Sequence, residues 1–81
     1  MNEVARNGSD GDDLVFKALA SPLRRRMLDA LRHESLTTGR LCDLFSELDR
    51  TTVLQHLRVL ERADLVTGRR NGKERQLTLA P

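Results

Sequence analysis

The apolar residues of this 81-residue chain change their spacing once, near residue 64. Before that point they recur every three to four positions, which is the spacing that lines one face of an α-helix. After it they alternate with polar residues, as in a half-buried β-strand. Asn71-Gly72 divides the alternating part into two runs, and this dipeptide is a strong signal for a hairpin turn. The sequence therefore predicts a mainly α fold with a small β-hairpin (α+β).

The first thirteen residues are polar and acidic, with four acidic residues against one basic residue, a net charge of −3. Their two glycines and lack of apolar spacing predict a disordered acidic tail at 1–12, followed by one folded domain at 13–81. The first helix is expected to begin near Asp12. Its broad apolar face comprises Leu14, Val15, Phe16 and Leu19.

Helix-start signals mark two short helices in the middle of the chain. Ser21 before Pro22 predicts the cap and first turn of a second helix that reaches about Arg32. A very short strand at 36–37 precedes a third helix at 39–48, with Thr38 as its predicted cap. The predicted inward residues are Leu23, Met27, Leu28 and Leu31 in the second helix, and Leu41, Leu44, Phe45 and Leu48 in the third.

The fourth helix, predicted from Arg50 to about Ala63 with Asp49 as its cap, has an unusual polar face. Its buried stripe is apolar, but the opposite face carries hydrogen-bond donors in place of the usual glutamate–lysine mixture. Arginine can bond guanine, glutamine can bond adenine, and threonine or leucine can contact a thymine methyl group. The inward residues are Val53, Leu57 and Leu60, and the predicted DNA contacts are Arg50, Thr51, Thr52, Leu54, Gln55 and Arg58.

The hairpin at 66–79 has a basic tip. With Asn71-Gly72 as the turn, Val66 pairs with Leu77 on the inward face, and Arg69 pairs with Glu74. The tip is predicted to contact the phosphate backbone, although a cross-strand Arg69–Glu74 ion pair or a merely solvating role remains open. The residues concerned are Arg69, Arg70, Lys73 and Arg75.

Positive charge is gathered toward the C-terminal end. The net charge is +2, but residues 50–81 hold seven basic and three acidic residues. Such a surface is expected to face a polyanion, and a mildly basic solvated surface is the alternative. The run Arg24-Arg25-Arg26 is equally consistent with phosphate contact and with salt bridges to Asp29 or to the acidic tail.

Several classes of function find no support in the composition. With only two aromatic residues, base stacking on single strands is not expected. The chain has no apolar run of membrane-spanning length and no signal pattern, and the lone Cys42 cannot form an internal disulfide, so a cytoplasmic location is expected. His56 is interpreted as a hydrogen-bonded residue at the edge of the core. No catalytic set, cofactor-binding motif or metal-ligand spacing is present, so the chain is not expected to be an enzyme.

Three segments together resemble the ArsR-like family of bacterial winged helix-turn-helix transcription regulators. "VFKALASPLRRRMLDAL" resembles the family's opening signature, "LTTGRLCDLFSELDRTTVLQHLRVLERADLV" its helix-turn-helix, and "GRRNGKERQLTL" its wing. The resemblance covers about residues 14–79. It implies four helices followed by a two-stranded wing, and a cytoplasmic, sequence-specific regulator of transcription, by analogy a repressor, that binds double-stranded DNA.

Two departures qualify this resemblance. Metal-sensing members carry paired cysteines, whereas Cys42 stands alone, so the chain is similar to the branch without the metal-binding pair. Family members also continue into a C-terminal helix that packs with the first helix in a dimer, whereas this sequence ends at "LAP". A homodimer through the first helix is therefore expected to be weakened. A protein-binding module anchored by Leu54 and a nonspecific nucleic-acid binder are the alternative functions.

Overall fold

The computed structural model describes the backbone of residues 2–81 and the side chains of residues 11–81. The order of the elements over this range agrees with the predicted fold class. The elements are α1 (Asn2–Leu19), α2 (Pro22–Ala30), β1 (Leu36–Thr37), α3 (Thr38–Leu44), α4 (Arg50–Arg62), β2 (Val66–Asn71) and β3 (Glu74–Leu79). None of the helices in the described part is both long and apolar enough to cross a membrane.

The first helix begins at Asn2, well before the predicted start near Asp12, so residues 2–12 are helical where a disordered tail was predicted. The segment contains no proline, and each glycine costs only about 1 kcal/mol in a helix interior. Extending a helix is far easier than nucleating one, and the C-terminal end of α1 is held in the core by the buried Ala18. The boundary between tail and domain at residue 12 stays a prediction, and Met1 lies outside the described residues.

The apolar face of α1 is only partly covered. Ala18 is buried and Val15 packs against the core, whereas Leu14 is 44% and Phe16 69% exposed. Two residues of the predicted apolar face, Leu14 and Phe16, are therefore left in solvent within a single chain. The helix contacts α2 and α4, and these contacts do not cover the side chains of Leu14 and Phe16.

Two of the three predicted helix caps are confirmed. The Ser21 hydroxyl accepts a hydrogen bond from the Arg24 amide at 3.2 Å, and Asp49 Oδ1 accepts one from the Thr52 amide at 2.7 Å. The cap of α3 is Thr37, whose hydroxyl accepts from the Arg40 amide at 3.0 Å. Thr38 was the wrong choice because its neighbour already has the extended backbone of a cap, with φ −72° and ψ 159°.

The ends of the short helices also differ from the prediction. The second helix stops at Ala30 and the third at Leu44, after which residues 45–47 form a turn. Because the backbone turns there, Phe45 remains buried while Leu44 is 45% exposed, contrary to its predicted burial. This turn separates α3 from α4 and completes the helix-turn-helix.

The three strands form one antiparallel sheet in the order β1-β3-β2. Asn71 pairs with Glu74, so the turn is Gly72-Lys73 and the predicted Asn71-Gly72 turn is wrong. Gly72 has φ +66° and Lys73 has no positive φ, as in a type II′ turn, which needs glycine at its first central position. Val66 pairs with Leu79, and since the register moves by two, Val66 and Leu77 still share the buried face as predicted.

The core is built from one layer of helices against the inner face of this sheet. It contains one aromatic residue, Phe45, and otherwise aliphatic, alanine and methionine side chains. Both strands of the wing and all four helices contribute. The buried residues are Ala18, Met27, Leu31, Leu36, Leu41, Phe45, Val53, Leu57, Leu60, Ala63, Val66 and Leu77.

A left-handed residue ends α4 and turns the chain into the wing. Asp64 has φ +59°, and its amide donates to the Glu61 carbonyl at 3.0 Å. The next amide, from Leu65, reaches back to the Leu60 carbonyl at 3.0 Å. These two bonds are those of a Schellman motif, which satisfies the last carbonyls of a helix and reverses the direction of the chain.

Candidate nucleic-acid interface

The fourth helix has one face in the core and one in solvent. Val53, Leu57 and Leu60 are buried, which confirms the predicted apolar stripe. These anchors fix the rotation of the helix, so the opposite face is presented to solvent as a rigid surface. The exposed predicted contacts on this face are Arg50, Thr51, Gln55 and Arg58.

Two of the predicted contact residues on α4 are half-buried. The Thr52 amide is bound by the Asp49 carboxylate, and this hydrogen bond from the backbone is the main cause that lowers the pKa of Asp49. Leu54 packs partly against the core and is not the fully exposed leucine that the sequence predicted. Both side chains therefore have fewer atoms available for a partner than their neighbours on the exposed face.

A groove of about 420 Å³ lies where α3, α4 and the wing meet. It brings together five of the ten predicted site residues, but Thr51, Thr52, Gln55, Arg69 and Arg70 lie outside it. Four of the five are basic, and two glutamates stand among them. The lining residues are Thr37, Thr38, Gly39, Arg50, Leu54, Leu57, Arg58, Glu61, Lys73, Glu74 and Arg75.

The wing presents three of its four basic residues at its tip. Arg69, Arg70 and Lys73 are exposed, whereas Arg75 forms an ion pair with Glu61 of α4. The register places Arg69 opposite Gln76, so the alternative of a directly paired Arg69–Glu74 couple is wrong. The tip therefore carries a concentrated positive charge close to the point where the Arg75 side chain contacts α4.

The sequence did not predict five lining residues that have polar or small side chains: Thr37, Thr38, Gly39, Glu61 and Glu74. The first three begin α3, and the Thr38 hydroxyl donates to the Arg75 carbonyl at 3.5 Å. The sequence predicted the short strand at 36–37 but not its partner; pairing it with the wing would have placed these residues here, because β1 pairs with β3. Glu61 had no local signal, since its partner is fourteen positions away in the chain.

The arginine run at the start of α2 is engaged within the molecule. Arg24 donates to the Ala18 carbonyl at 2.9 Å and to the Lys17 carbonyl at 2.7 Å. Arg25 donates to the carbonyl of Leu19. These partners differ from the predicted acidic ones: they are carbonyls of the last turn of α1, where positive charge is favoured.

The third arginine and its acidic neighbours form separate pairs. Arg26 lies over the Phe45 ring, 5.0 Å from its centroid, and pairs with Glu47 at 3.4 Å. Asp29, the acidic partner predicted for the run, pairs with Arg32 at 3.1 Å. All four charged side chains are more than half exposed, so these pairs contribute little to stability.

His56 connects α4 to the Arg24 guanidinium, whose Nη1 lies 3.0 Å from His56 Nδ1. Arginine can only donate, so Nδ1 accepts and the ring is neutral with its proton on Nε2. Burial, and then the charge of Arg24, lowers the pKa of His56. This is the predicted hydrogen-bonded histidine at the edge of the core. Among the described side chains, no three His, Cys, Asp or Glu residues are grouped closely enough to hold a metal ion.

Residues 19–69 match a family model described as "Helix-turn-helix domain". The chain is 32% identical over 59 residues to the transcriptional repressor SdpR of Bacillus subtilis (strain 168), covering 73% of this chain and 64% of that protein. The chain thus spans less than two thirds of the length of SdpR. Residues 19–69, which the family model matches, include both helices of the helix-turn-helix, α3 and α4.

Solved structures give the same result. HlyU from Vibrio cholerae N16961 superposes with a TM-score of 0.79 at 30% identity, over 91% of this chain and 79% of HlyU. The ArsR family transcriptional regulator RHA00566 superposes with a TM-score of 0.79, over 86% of this chain and 71% of the other, and at 24% identity it supports the fold alone. The family match covers more than half of the chain, and the fold and motifs agree with it. The chain therefore belongs to the ArsR-like family of winged helix-turn-helix transcription regulators.

Proposed function

We propose that this chain is a sequence-specific, double-stranded DNA-binding regulator of transcription. The observation that carries the proposal is the solvent-facing side of α4, where Arg50, Thr51, Gln55 and Arg58 stand exposed on a helix fixed by its buried stripe. A helix of this kind fits the major groove, and helix-turn-helix proteins place the N-terminal part of their second helix against base edges. The N-terminal half of α4 holds three of these four residues.

The exposed side chains divide by chemistry. Arg50 and Arg58 suit guanine or phosphate, Gln55 suits adenine, and Thr51 suits a thymine methyl group or a phosphate. Thr52 and Leu54 are assigned a smaller role at the bases, because each is half-buried. The basic tip of the wing contacts the phosphate backbone beside the groove that α4 occupies.

The direction of regulation is proposed by analogy. SdpR is a transcriptional repressor, and the present chain covers only part of its length. A repressor acts by occupying its DNA site, which requires no catalytic group. A DNA-binding role in a bacterium also places the protein in the cytoplasm, where the chromosome lies.

A homodimer through α1 is the second part of the proposal. Phe16 and Leu14 are exposed large apolar residues on this helix, and covering such surface is favourable in water. Dimers of helix-turn-helix proteins read two half-sites that are related by twofold symmetry. The form of the DNA site therefore reports the state of assembly.

Selection of bound duplexes from a random DNA pool tests both parts. We expect an enriched inverted repeat if the chain acts as a dimer and an enriched single half-site if it acts as a monomer. Absence of enrichment would contradict the proposal. Salt-dependent binding without enrichment would identify a nonspecific nucleic-acid binder, and salt-insensitive binding that needs Leu54 would identify a protein-binding module.

Single-residue variants then test which side chains of α4 contact the bases. Arg50→Ala and Gln55→Ala should each weaken binding to the enriched duplex by ~5- to 150-fold and relax the preference at one position. Arg32→Ala is the matched control, since it removes an exposed arginine outside α4 and the wing. Unchanged affinity and unchanged preference in both α4 variants would refute the assignment of this helix to the bases.

A further inference from the structure

The Arg75 side chain leaves the basic tip of the wing and returns to α4. Its guanidinium pairs with the Glu61 carboxylate, and the two side chains are 44% and 20% exposed. Glu61 lies toward the C-terminal end of α4, on the side that lines the groove. The pair is therefore a direct side-chain link between the helix proposed to meet the bases and the wing proposed to meet the backbone.

A glycine on the neighbouring strand leaves room for the Arg75 side chain to reach Glu61. Gly68, on the neighbouring strand, lies directly beneath the Arg75 guanidinium, and a Cβ atom added there would overlap Cζ, Nη2 and Nε of that group. The overlap involves only the far end of a flexible side chain, so the backbone would not have to move. Glycine at this position therefore leaves the space through which Arg75 reaches Glu61.

The Glu61–Arg75 pair also reduces the repulsion between two arginines of the wing. Arg70 stands directly opposite Arg75 in the sheet, and like charges at such a pair are destabilising. The carboxylate of Glu61 offsets this repulsion because it forms an ion pair with Arg75. Arg69 pairs with the residue next to Arg75, and Lys73 lies in the turn two positions away, so the link lies among the basic residues of the tip.

We propose that the Glu61–Arg75 pair sets the angle of the wing relative to α4, and that Arg75 is a positioning residue and not a phosphate contact. This departs from the assignment of Arg75 that the sequence suggested. The basic tip that meets the backbone is then Arg69, Arg70 and Lys73. The inference rests on the proposed function for its effect on DNA binding, but its structural part concerns the free protein.

The free protein is tested first, without DNA. Residual dipolar couplings of backbone amides report how the wing is oriented relative to α4. Glu61→Gln and Gly68→Ala should both change the couplings of residues 69–74 while those of α4 stay constant. Gly68→Ala is informative because it displaces the guanidinium and alters no charge. Asp29→Asn, which removes a carboxylate from an exposed arginine pair on α2, is the matched control and should change neither set. Unchanged wing couplings in both test variants would overturn the proposal.

Binding to the enriched duplex then tests whether the orientation of the wing matters for affinity. The deciding observation is whether Glu61→Gln weakens or strengthens binding. If Glu61 merely competed with DNA for Arg75, Glu61→Gln would free the arginine and remove a negative charge, so binding would become tighter. If the pair positions the wing, Glu61→Gln and Gly68→Ala should both weaken binding, by about three- to fivefold. Tighter binding by Glu61→Gln would overturn the proposal.

A charge exchange supplies the rescue. In the double variant Glu61→Arg/Arg75→Glu the pair is restored with its polarity reversed and the net charge is unchanged. A positioning pair predicts that this variant restores the backbone couplings of residues 69–74 that Arg75→Glu alone changes. If Arg75 only contacts phosphate, Arg75→Glu should leave those couplings unchanged in the free protein, and there is nothing to restore. If no duplex is enriched, the proposed function fails, and the couplings of the free protein still decide the structural part.

Discussion

Arg24 offers a quantitative test of how the helices are held together. Its guanidinium donates to two carbonyls at the end of α1 and to Nδ1 of His56 on α4, so one side chain on α2 joins three helices. Arg24→Met keeps the apolar stem and removes all three hydrogen bonds. Hydrogen bonds from a charged donor contribute about 1.5–3 kcal/mol when buried, and less where water can replace the donor.

The magnitude follows from the surroundings of each acceptor. The bond to Lys17 is exposed, and the bonds to Ala18 and His56 are partly buried, so water replaces part of what is lost. A net loss of about 2 kcal/mol in the free energy of unfolding is expected. For a domain of this size that corresponds to a fall of ~8–16 °C in Tm.

Urea unfolding followed by far-ultraviolet circular dichroism measures this loss, at one fixed protein concentration in case of dimerisation. Arg25→Met is the matched control, because Arg25 makes a single exposed bond to the end of the same helix. It should cost no more than about 0.5 kcal/mol. Arg24→Lys separates charge from geometry, since an ammonium group keeps the charge near the helix end but cannot reach all three acceptors. Full stability in Arg24→Lys, or in Arg24→Met, would refute the reasoning.

Two further predictions concern α4, one at its C-terminal end and one at His56 in its middle. Asp64 ends α4 with a positive φ, so Asp64→Gly should raise the free energy of unfolding by about 0.5 kcal/mol and Asp64→Val should lower it; equal Tm values for the two would contradict this. Because the pKa of His56 is lowered from 6.5 in the folded state, the unfolded chain takes up a proton first as the pH falls. The stability of the wild type should therefore fall as the pH drops below about 6.5 toward that lower pKa, and His56→Gln should abolish this part of the pH profile, measured by urea unfolding.

The local signals in the sequence predicted the helices and the residues that cap two of them. Ser21 and Asp49 act within one helical turn of themselves, so their role depends only on neighbouring residues. The error at Thr38 has a tertiary cause. Thr37 has an extended backbone where it pairs with Gln76, which lies thirty-nine positions away in the sequence. This pairing decides which of two adjacent threonines is the cap.

In the wing, too, the features set by local sequence were predicted, and the features set by tertiary contacts were not. Alternation predicted both strands and the shared inward face of Val66 and Leu77, because a shift of two in register leaves every side chain on its face. The turn itself was misassigned, since Gly72 can serve as the second residue of one turn type or the first of another. No local pattern could reveal that Arg75 pairs with Glu61, because it depends on how the finished wing lies against α4.

These contacts also limit how much of the positive charge can meet a polyanion. The sequence counts arginines equally, but those of α2 are engaged with helix-end carbonyls or with Glu47, and Arg75 is engaged with Glu61. The exposed basic residues left on α4's predicted contact face and at the wing tip are Arg50, Arg58, Arg69, Arg70 and Lys73.

Each phosphate that a cationic side chain neutralises contributes about 0.9 to the slope of log affinity against log salt concentration. These five residues together account for a slope of up to about 4.5 in magnitude for each chain bound. Arg26→Gln should leave the slope unchanged, whereas Arg70→Gln should reduce it by up to about 0.9. The measurement is a titration of the enriched duplex at several salt concentrations. A slope clearly steeper than about 4.5 would mean that cations outside this set, either the exposed Arg62 and Arg40 or the paired arginines of α2, also contact phosphate in the complex.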